Sequence, residues 1–132
     1  MIVTVTLNPS IDRTAPIAGP LRRGQVNRLG SSTEVAAGKG VNISRVLRGA
    51  GIETCAVVPA GAKGRLTLGL NHDDIPHQVV PVAAAVRTNL TITEPDGTTT
   101  KINEPGADLS PEELTAVEEA IVEKSSGAQW VV

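Results

Sequence analysis

Phenylalanine and tyrosine are absent from this 132-residue sequence, and Trp130 is its one aromatic residue. Stacking nucleic-acid bases needs aromatic planes, and a formal net charge of −2 offers no basic field for a phosphate backbone. No nucleic acid is therefore expected as a partner. Cysteine is nearly absent too: Cys55 stands alone in the apolar run Thr54 to Val58, which rules out an internal disulfide and marks a buried, unreactive thiol. His72 and His77 are separated and lack partners, so neither metal binding nor general-base work is expected of them. No apolar run approaches the roughly 18 residues of a membrane-spanning helix. The N-terminus also lacks a basic region followed by a long apolar core, so the chain reads as cytoplasmic, with no membrane partner.

What the chain does contain is an alternation of β-branched runs and amphipathic segments, the pattern of an α/β fold. Ile2 to Leu7 is a first strand stopped by Asn8-Pro9, and Glu53 to Pro59 is a second core strand. Between them Ile43, Val46, Leu47 and Ala50 fall at i, i+3, i+4 and i+7. That spacing predicts the buried face of a helix, with Ser44, Arg45 and Arg48 turned away and Gly49 and Gly51 ending it. Arg65 to Asn71 is a weaker helix through Leu66 and Leu70, and Gln78 to Val86 is apolar and extended. Ile17 to Ala36 holds no helix; Val26 to Leu29 and Thr33 to Ala36 are candidate short strands.

The sharpest local expectation is a β-hairpin. Arg87 to Thr93 and Thr98 to Asn103 alternate, are rich in threonine, and flank a Glu94-Pro95-Asp96-Gly97 turn. Arg87, Asn89, Thr91 and Thr93 share one face of the first arm; Thr88, Leu90 and Ile92 share the other. Further on, Ser110-Pro111-Glu112-Glu113 combines a cap, a proline suited to the first helical position and a capping-box glutamate. Leu114, Val117, Ala120 and Ile121 supply that helix's expected buried stripe. Ala128 to Val132 reads as the start of a buried strand.

The chemistry concentrates at Ala36-Ala37-Gly38-Lys39-Gly40-Val41-Asn42, where a glycine turn feeds a helix N-terminus. Such a turn lets a ligand approach the backbone and presents N–H groups and a positive dipole end to an anion or a hydroxyl-rich ligand. A P-loop is excluded because Gly40, not serine or threonine, follows Lys39. The dinucleotide fingerprint fails because Ile43 stands where its third glycine belongs. A tight turn with no ligand is the remaining plain reading.

AAGKGVNISRVL resembles the GGKGxNxAxxL segment of the PfkB (ribokinase-like) carbohydrate kinases, and TLNPSIDRT is similar to that family's opening motif. RTNLTITEPDGTTTKINEPG narrows the resemblance to the 1-phosphofructokinase and tagatose-6-phosphate kinase branch. The resemblance implies a partial ribokinase-like αβα sandwich whose small β-sheet lid comprises approximately residues 13–36 and 87–103. It also implies that Asp12 holds sugar hydroxyls, a task suited to a carboxylate because it is a pure acceptor; capping a turn is the plain alternative for Asp12. Gly38, Lys39 and Asn42 then belong to the sugar site. Arg87 and Asn89 face the sugar phosphate, with Lys101 adding charge, where the plain alternative is a solvated hairpin face. Glu104 matches a position near the nucleotide-side edge of the cleft. Arg22, Arg23 and Arg28 lie on the implied lid, as solvated side chains or as phosphate ligands. Asp74 departs from the pattern, since relatives usually carry glycine before the isoleucine-proline step.

The function implied is ATP-dependent phosphorylation, with Mg²⁺, of a phosphorylated ketohexose: fructose 1-phosphate, with fructose 6-phosphate or tagatose 6-phosphate as alternative substrates. The lid implies a homodimer. The family's GAGD-like motif, whose aspartate is the catalytic base, has no counterpart in the 132 residues, nor does its nucleotide-binding segment. Residues 1–132 are thus expected to be the N-terminal, sugar-binding part of one domain, without a catalytic base, with ATP and Mg²⁺ held elsewhere in full-length relatives. A non-catalytic module that binds sugar phosphate or dimerises through the lid is the alternative.

Overall fold

A computed structural model describes the whole chain, Met1 to Val132. In chain order the elements are β1 (Ile2–Val5), β2 (Ser10–Pro16), β3 (Thr33–Ala37), α1 (Lys39–Gly49), β4 (Thr54–Ala60), α2 (Arg65–His72), β5 (His77–Pro81), β6 (Arg87–Thr93), β7 (Thr99–Asn103), α3 (Pro111–Ser125) and β8 (Trp130–Val131). They form two four-stranded sheets. The main sheet has the order β5-β4-β1-β8, all parallel. The second has the order β3-β2-β6-β7; β2 is antiparallel to β3 but parallel to β6, and β6 and β7 form the hairpin.

β4 shows why helices cover both faces of the main sheet. Ala56, Val58 and Ala60 pack in one core with Val41 of α1 and Leu66 and Leu70 of α2. Val57 packs in a second core with Val117 and Ala120 of α3. Alternation along a strand sends successive side chains to opposite faces, and a parallel sheet apolar on both faces needs both covered. The result is an αβα sandwich. Ile11 of β2 and Ala36 of β3 reach into the first core, which anchors the second sheet beside the main one. α2 sits against that junction: a Cβ on Gly69 would lie 2.8 Å from Ala36 Cβ. No helix is long and apolar enough to cross a membrane.

Five sequence expectations need correction. Helix α1 buries Gly40, Val41 and Ser44, whereas Val46 is 71% exposed and Ile43 lies at the surface. Gly40 fixes the helix rotation, because it rests on β1 so closely that a Cβ would fall 2.6 Å from the Val5 carbonyl oxygen. Ser44 tolerates full burial because its hydroxyl bonds those of Thr4 (2.8 Å) and Thr54 (3.0 Å). Second, Ser10–Pro16, for which no strand is expected from sequence, is an inner strand of the second sheet. Third, Val26 to Leu29 contributes only an isolated bridge between Leu29 and Ile17. Fourth, β8 pairs with β1 but is exposed rather than buried, with Trp130 at 69%.

Fifth, the stripe expected on α3 buries Val117 and Ala120, whereas Leu114 is 41% exposed. α3 starts on the full capping box, Ser110 Oγ accepting the Glu113 N–H and Glu113 Oε2 accepting the Ser110 N–H. Asp74 adopts a left-handed φ of 52°. Glycine suits that conformation best, and aspartate is among the few other residues that tolerate it. Arg48 holds both the carboxylate and the carbonyl oxygen of Asp74, which fixes the turn.

Candidate functional site

The chain from Thr6 to Pro9 leaves β1 at the carboxyl end of the parallel strands, the end where open α/β sheets bind ligands. Gly38 has a φ of 133°, and a Cβ there would lie 2.4 Å from Thr6 Cγ2. Together with Gly40 this presses the start of α1 onto the end of β1. Thr6 Oγ1 accepts the Val41 N–H at 3.1 Å, so a side chain of the β1 loop caps the helix that the glycine turn begins. Asn42 follows one residue later on α1.

The second sheet brings its groups to the same place through register. β2 and β6 pair in parallel with Ser10 beside Arg87 and Asp12 beside Asn89. Asp12 Oδ1 accepts hydrogen bonds from Ser10 Oγ (2.9 Å) and Asn89 Nδ2 (3.0 Å), which leaves its other oxygen for a ligand. Arg87 Nη1 donates to the Glu104 carbonyl at 3.3 Å. Arg87 Nε and Asn89 Oδ1 are buried and have no hydrogen-bond partner in the protein. An unpaired buried polar group costs about 1–3 kcal/mol, so these two neighbouring orphans, a cationic donor and a neutral acceptor, leave hydrogen-bonding capacity unspent on two adjacent side chains.

Asp12, Gly38, Lys39, Asn42, Arg87 and Asn89 all border one open cavity of about 420 Å³. Of its eleven lining residues only Val5 and Leu7 are apolar, which suits a hydroxyl-rich ligand and not a lipophilic one. Two cations and one carboxylate at the rim favour an anion that also carries hydroxyls.

Two residues expected in the site lie outside this lining. Lys101 stands on β7 opposite Thr91, farther along the hairpin than Asn89, and is exposed. Glu104 is a strap: its Oε2 accepts the Thr88 N–H at 2.7 Å and its own N–H donates to the Thr88 carbonyl. With its carbonyl on Arg87, Glu104 ties down the start of β6. Thr6, Asn8 and Ser10 line the cavity without having been singled out from sequence. The loop Thr6-Leu-Asn-Pro-Ser10 had read as a strand end and a turn, and only the strand character of β2 turns Ser10 towards Asp12. Asn8 further secures the far side of the site by donating to the Pro105 carbonyl at 3.0 Å. Away from the site, burial pushes the Cys55 thiol above its usual pKa, with Lys124 opposing the shift. A raised pKa leaves less of the nucleophilic thiolate.

No family model matches the chain. Against curated proteins it is 33% identical over 122 residues to a 1-phosphofructokinase of Vibrio cholerae, a match covering 89% of this chain and 37% of the relative. Among solved structures, phosphofructokinase-2 from Escherichia coli in complex with fructose-6-phosphate superposes with a TM-score of 0.89 at 27% identity. That match covers 98% of this chain and 44% of the other. The same E. coli protein in a tetrameric inhibited form gives 0.88. A Thermotoga maritima protein described as a possible 1-phosphofructokinase gives 0.84 at 28% identity, over 99% of this chain and 43% of its own. The chain thus spans less than half the length of these relatives.

Proposed function

We propose that this chain, which belongs with the PfkB carbohydrate kinases of phosphofructokinase type, binds a phosphorylated ketohexose as the acceptor side of a kinase site. The observation that carries this reading is the polar cavity lined by Asp12, Gly38, Lys39, Asn42, Arg87 and Asn89, two of whose side chains, Arg87 and Asn89, each keep a buried polar atom without a partner in the protein. Arg87 would take the sugar's phosphate, since a guanidinium offers several fixed donors to one anion. Asp12 and Asn89 would accept hydrogen bonds from sugar hydroxyls, and the start of α1 would bring its positive end towards the ligand's anionic groups. Lys39 would add positive charge at the rim. Fructose 1-phosphate is the proposed acceptor, with fructose 6-phosphate and tagatose 6-phosphate as alternatives.

ATP and Mg²⁺ belong to the proposed kinase reaction, as ligands of the full-length relatives, of which this chain spans less than half. The work assigned to this chain is binding and orienting the acceptor, not taking its proton. A homodimer through the second sheet is part of the proposal, supported by the exposure of Val35 (44%) and Ile102 (57%) on that sheet. Sedimentation velocity over a concentration series checks it, a monomer throughout counting against it.

The main test is calorimetric titration of the chain with the three sugar phosphates and with unphosphorylated fructose. Saturable binding of a sugar phosphate, at least tenfold tighter than fructose, is expected from a charge-assisted contact. Equal affinity for fructose, or no saturation by any of the three, would overturn the reading.

A further inference from the structure

The i, i+3 spacing of Asn42 and Arg45 on α1 puts a cavity residue beside an arginine that does not line the cavity. From sequence that arginine reads as solvated, but every arm of its guanidinium is engaged. Nη1 donates to Asn42 Oδ1 at 2.8 Å. Nη2 donates to the carbonyl of Ala36, two residues before the Gly38 turn. Nε and Nη2 both reach Asp73 Oδ2, at 3.1 and 2.9 Å, and Asp73 is the residue that ends α2. The ion pair is about two-thirds buried, with 32% and 26% of the two side chains exposed.

An arginine has donors and no acceptor, so it engages the oxygen of a neighbouring carboxamide and never the nitrogen. The Asn42 amide is thereby held with its oxygen on Arg45 and its NH₂ free for the cavity. We propose that Arg45, braced by Asp73, is a positioning residue that makes Asn42 a hydrogen-bond donor to the ligand, so that this side of the site selects an acceptor oxygen of the sugar or its phosphate. Without Arg45 the amide can flip and present its oxygen, which repels an acceptor and suits a hydroxyl proton. The same guanidinium ties the β3 end to α1 and α2, so the glycine turn and the Asn42 amide are set by one side chain. This inference rests on the sugar-phosphate reading above and deepens it.

The test is a double-mutant cycle on the full chain, with Arg45→Met, Asn42→Ala and the double variant titrated with fructose 1-phosphate by calorimetry. Arg45→Met should weaken binding about tenfold, the scale of one hydrogen bond to a partly buried ligand. It should weaken binding hardly at all when Asn42 is already alanine, because the effect passes through that amide. Equal weakening in both backgrounds would overturn the proposal and leave Arg45 a brace of the fold. Arg45→Lys, which keeps the charge but not the fork, should recover part of the affinity; if Arg45→Met does not fold, Arg45→Lys and Asp73→Asn carry the same cycle. A second readout needs no ligand: the Asn42 side-chain NH₂ pair in ¹⁵N NMR should be ordered in the wild type and should broaden or average in Arg45→Met. An unchanged Asn42 signal overturns the positioning role. Loss of its order in a chain that binds no sugar phosphate sustains the role while the functional reading fails.

Discussion

The main sheet and the second sheet divide the labour of this molecule unequally. Along β4, Ala56 to Ala60 are all buried, and their neighbours are valines, leucines and alanines from three helices. Along the hairpin β6–β7 only Ile92 is buried, and five of the twelve strand residues are threonine. Yet the orphaned polar atoms and the carboxylate of the site come from the second sheet, on Arg87, Asn89 and Asp12. The main sheet contributes mostly backbone and helix placement, through Val5, Thr6 and the Gly38 turn. Burial of apolar surface, roughly 25 cal/mol per Å², stabilises the first region, while the second is left free to carry groups that cost stability.

The largest break in that comparison should come from the core. Leu70→Ala removes a fully buried side chain between α2 and the main sheet and should cost about 2–5 kcal/mol in urea unfolding. The matching change on the hairpin, Ile102→Ala at a residue 57% exposed, should stay within about 0.5 kcal/mol. Similar losses at both positions would mean the sheets share the burden. Gly40→Ala comes next: its Cβ would press on the Val5 carbonyl, lift α1 off β1, and cost about 1–3 kcal/mol together with ligand affinity.

Arg87→Ala should separate function from stability. It removes an orphaned donor, so the denaturation midpoint should hardly move, within about 0.5 kcal/mol, while sugar-phosphate affinity falls about tenfold or more. The smallest effect concerns pH. Glu113 is held below its usual 4.5 by the Ser110 N–H and by the Ala83 N–H. A depressed carboxyl pKa stabilises the fold above the unfolded value of 4.5, and that contribution is lost as pH falls through the lower folded value. Glu113→Gln keeps the capping box but removes the titration, so its stability should decline less steeply below pH 4.5 than the wild type's. An identical acid limb would show that the α3 cap carries no such linkage.

Much of this was legible in the residues because the signals were local. The hairpin announces itself through alternation and an Asp96-Gly97 turn, and α3 through Ser110, Pro111 and Glu113. The glycine turn at Gly38 and the polar positions Asp12, Lys39, Asn42, Arg87 and Asn89 stand out by type and by resemblance, and they border one cavity. What stayed hidden depends on partners distant in the chain. The rotation of α1 follows from a backbone contact between Gly40 and Val5, which overrides an apolar stripe that would have turned Ile43 and Val46 inward. Ser10 is a site residue only because β2 pairs with β6, and no periodicity in a run as short and mixed as Ser10–Pro16 predicts that pairing.

The sequence by itself therefore determined the alternating α/β pattern, the hairpin, the helix caps and the inventory of groups able to bind a hydroxyl-rich anion, since each follows from neighbours a few residues apart. Tertiary structure alone decided which of those groups meet. Parallel register set Asp12 beside Asn89, the strap of Glu104 held Arg87 and removed Glu104 from the cavity, and Arg45 reached Asn42, Ala36 and Asp73 at once. The physical reason is reach: hydrogen bonds act over about 3 Å, and residues far apart in sequence come that close only when packing and strand register bring their backbones together.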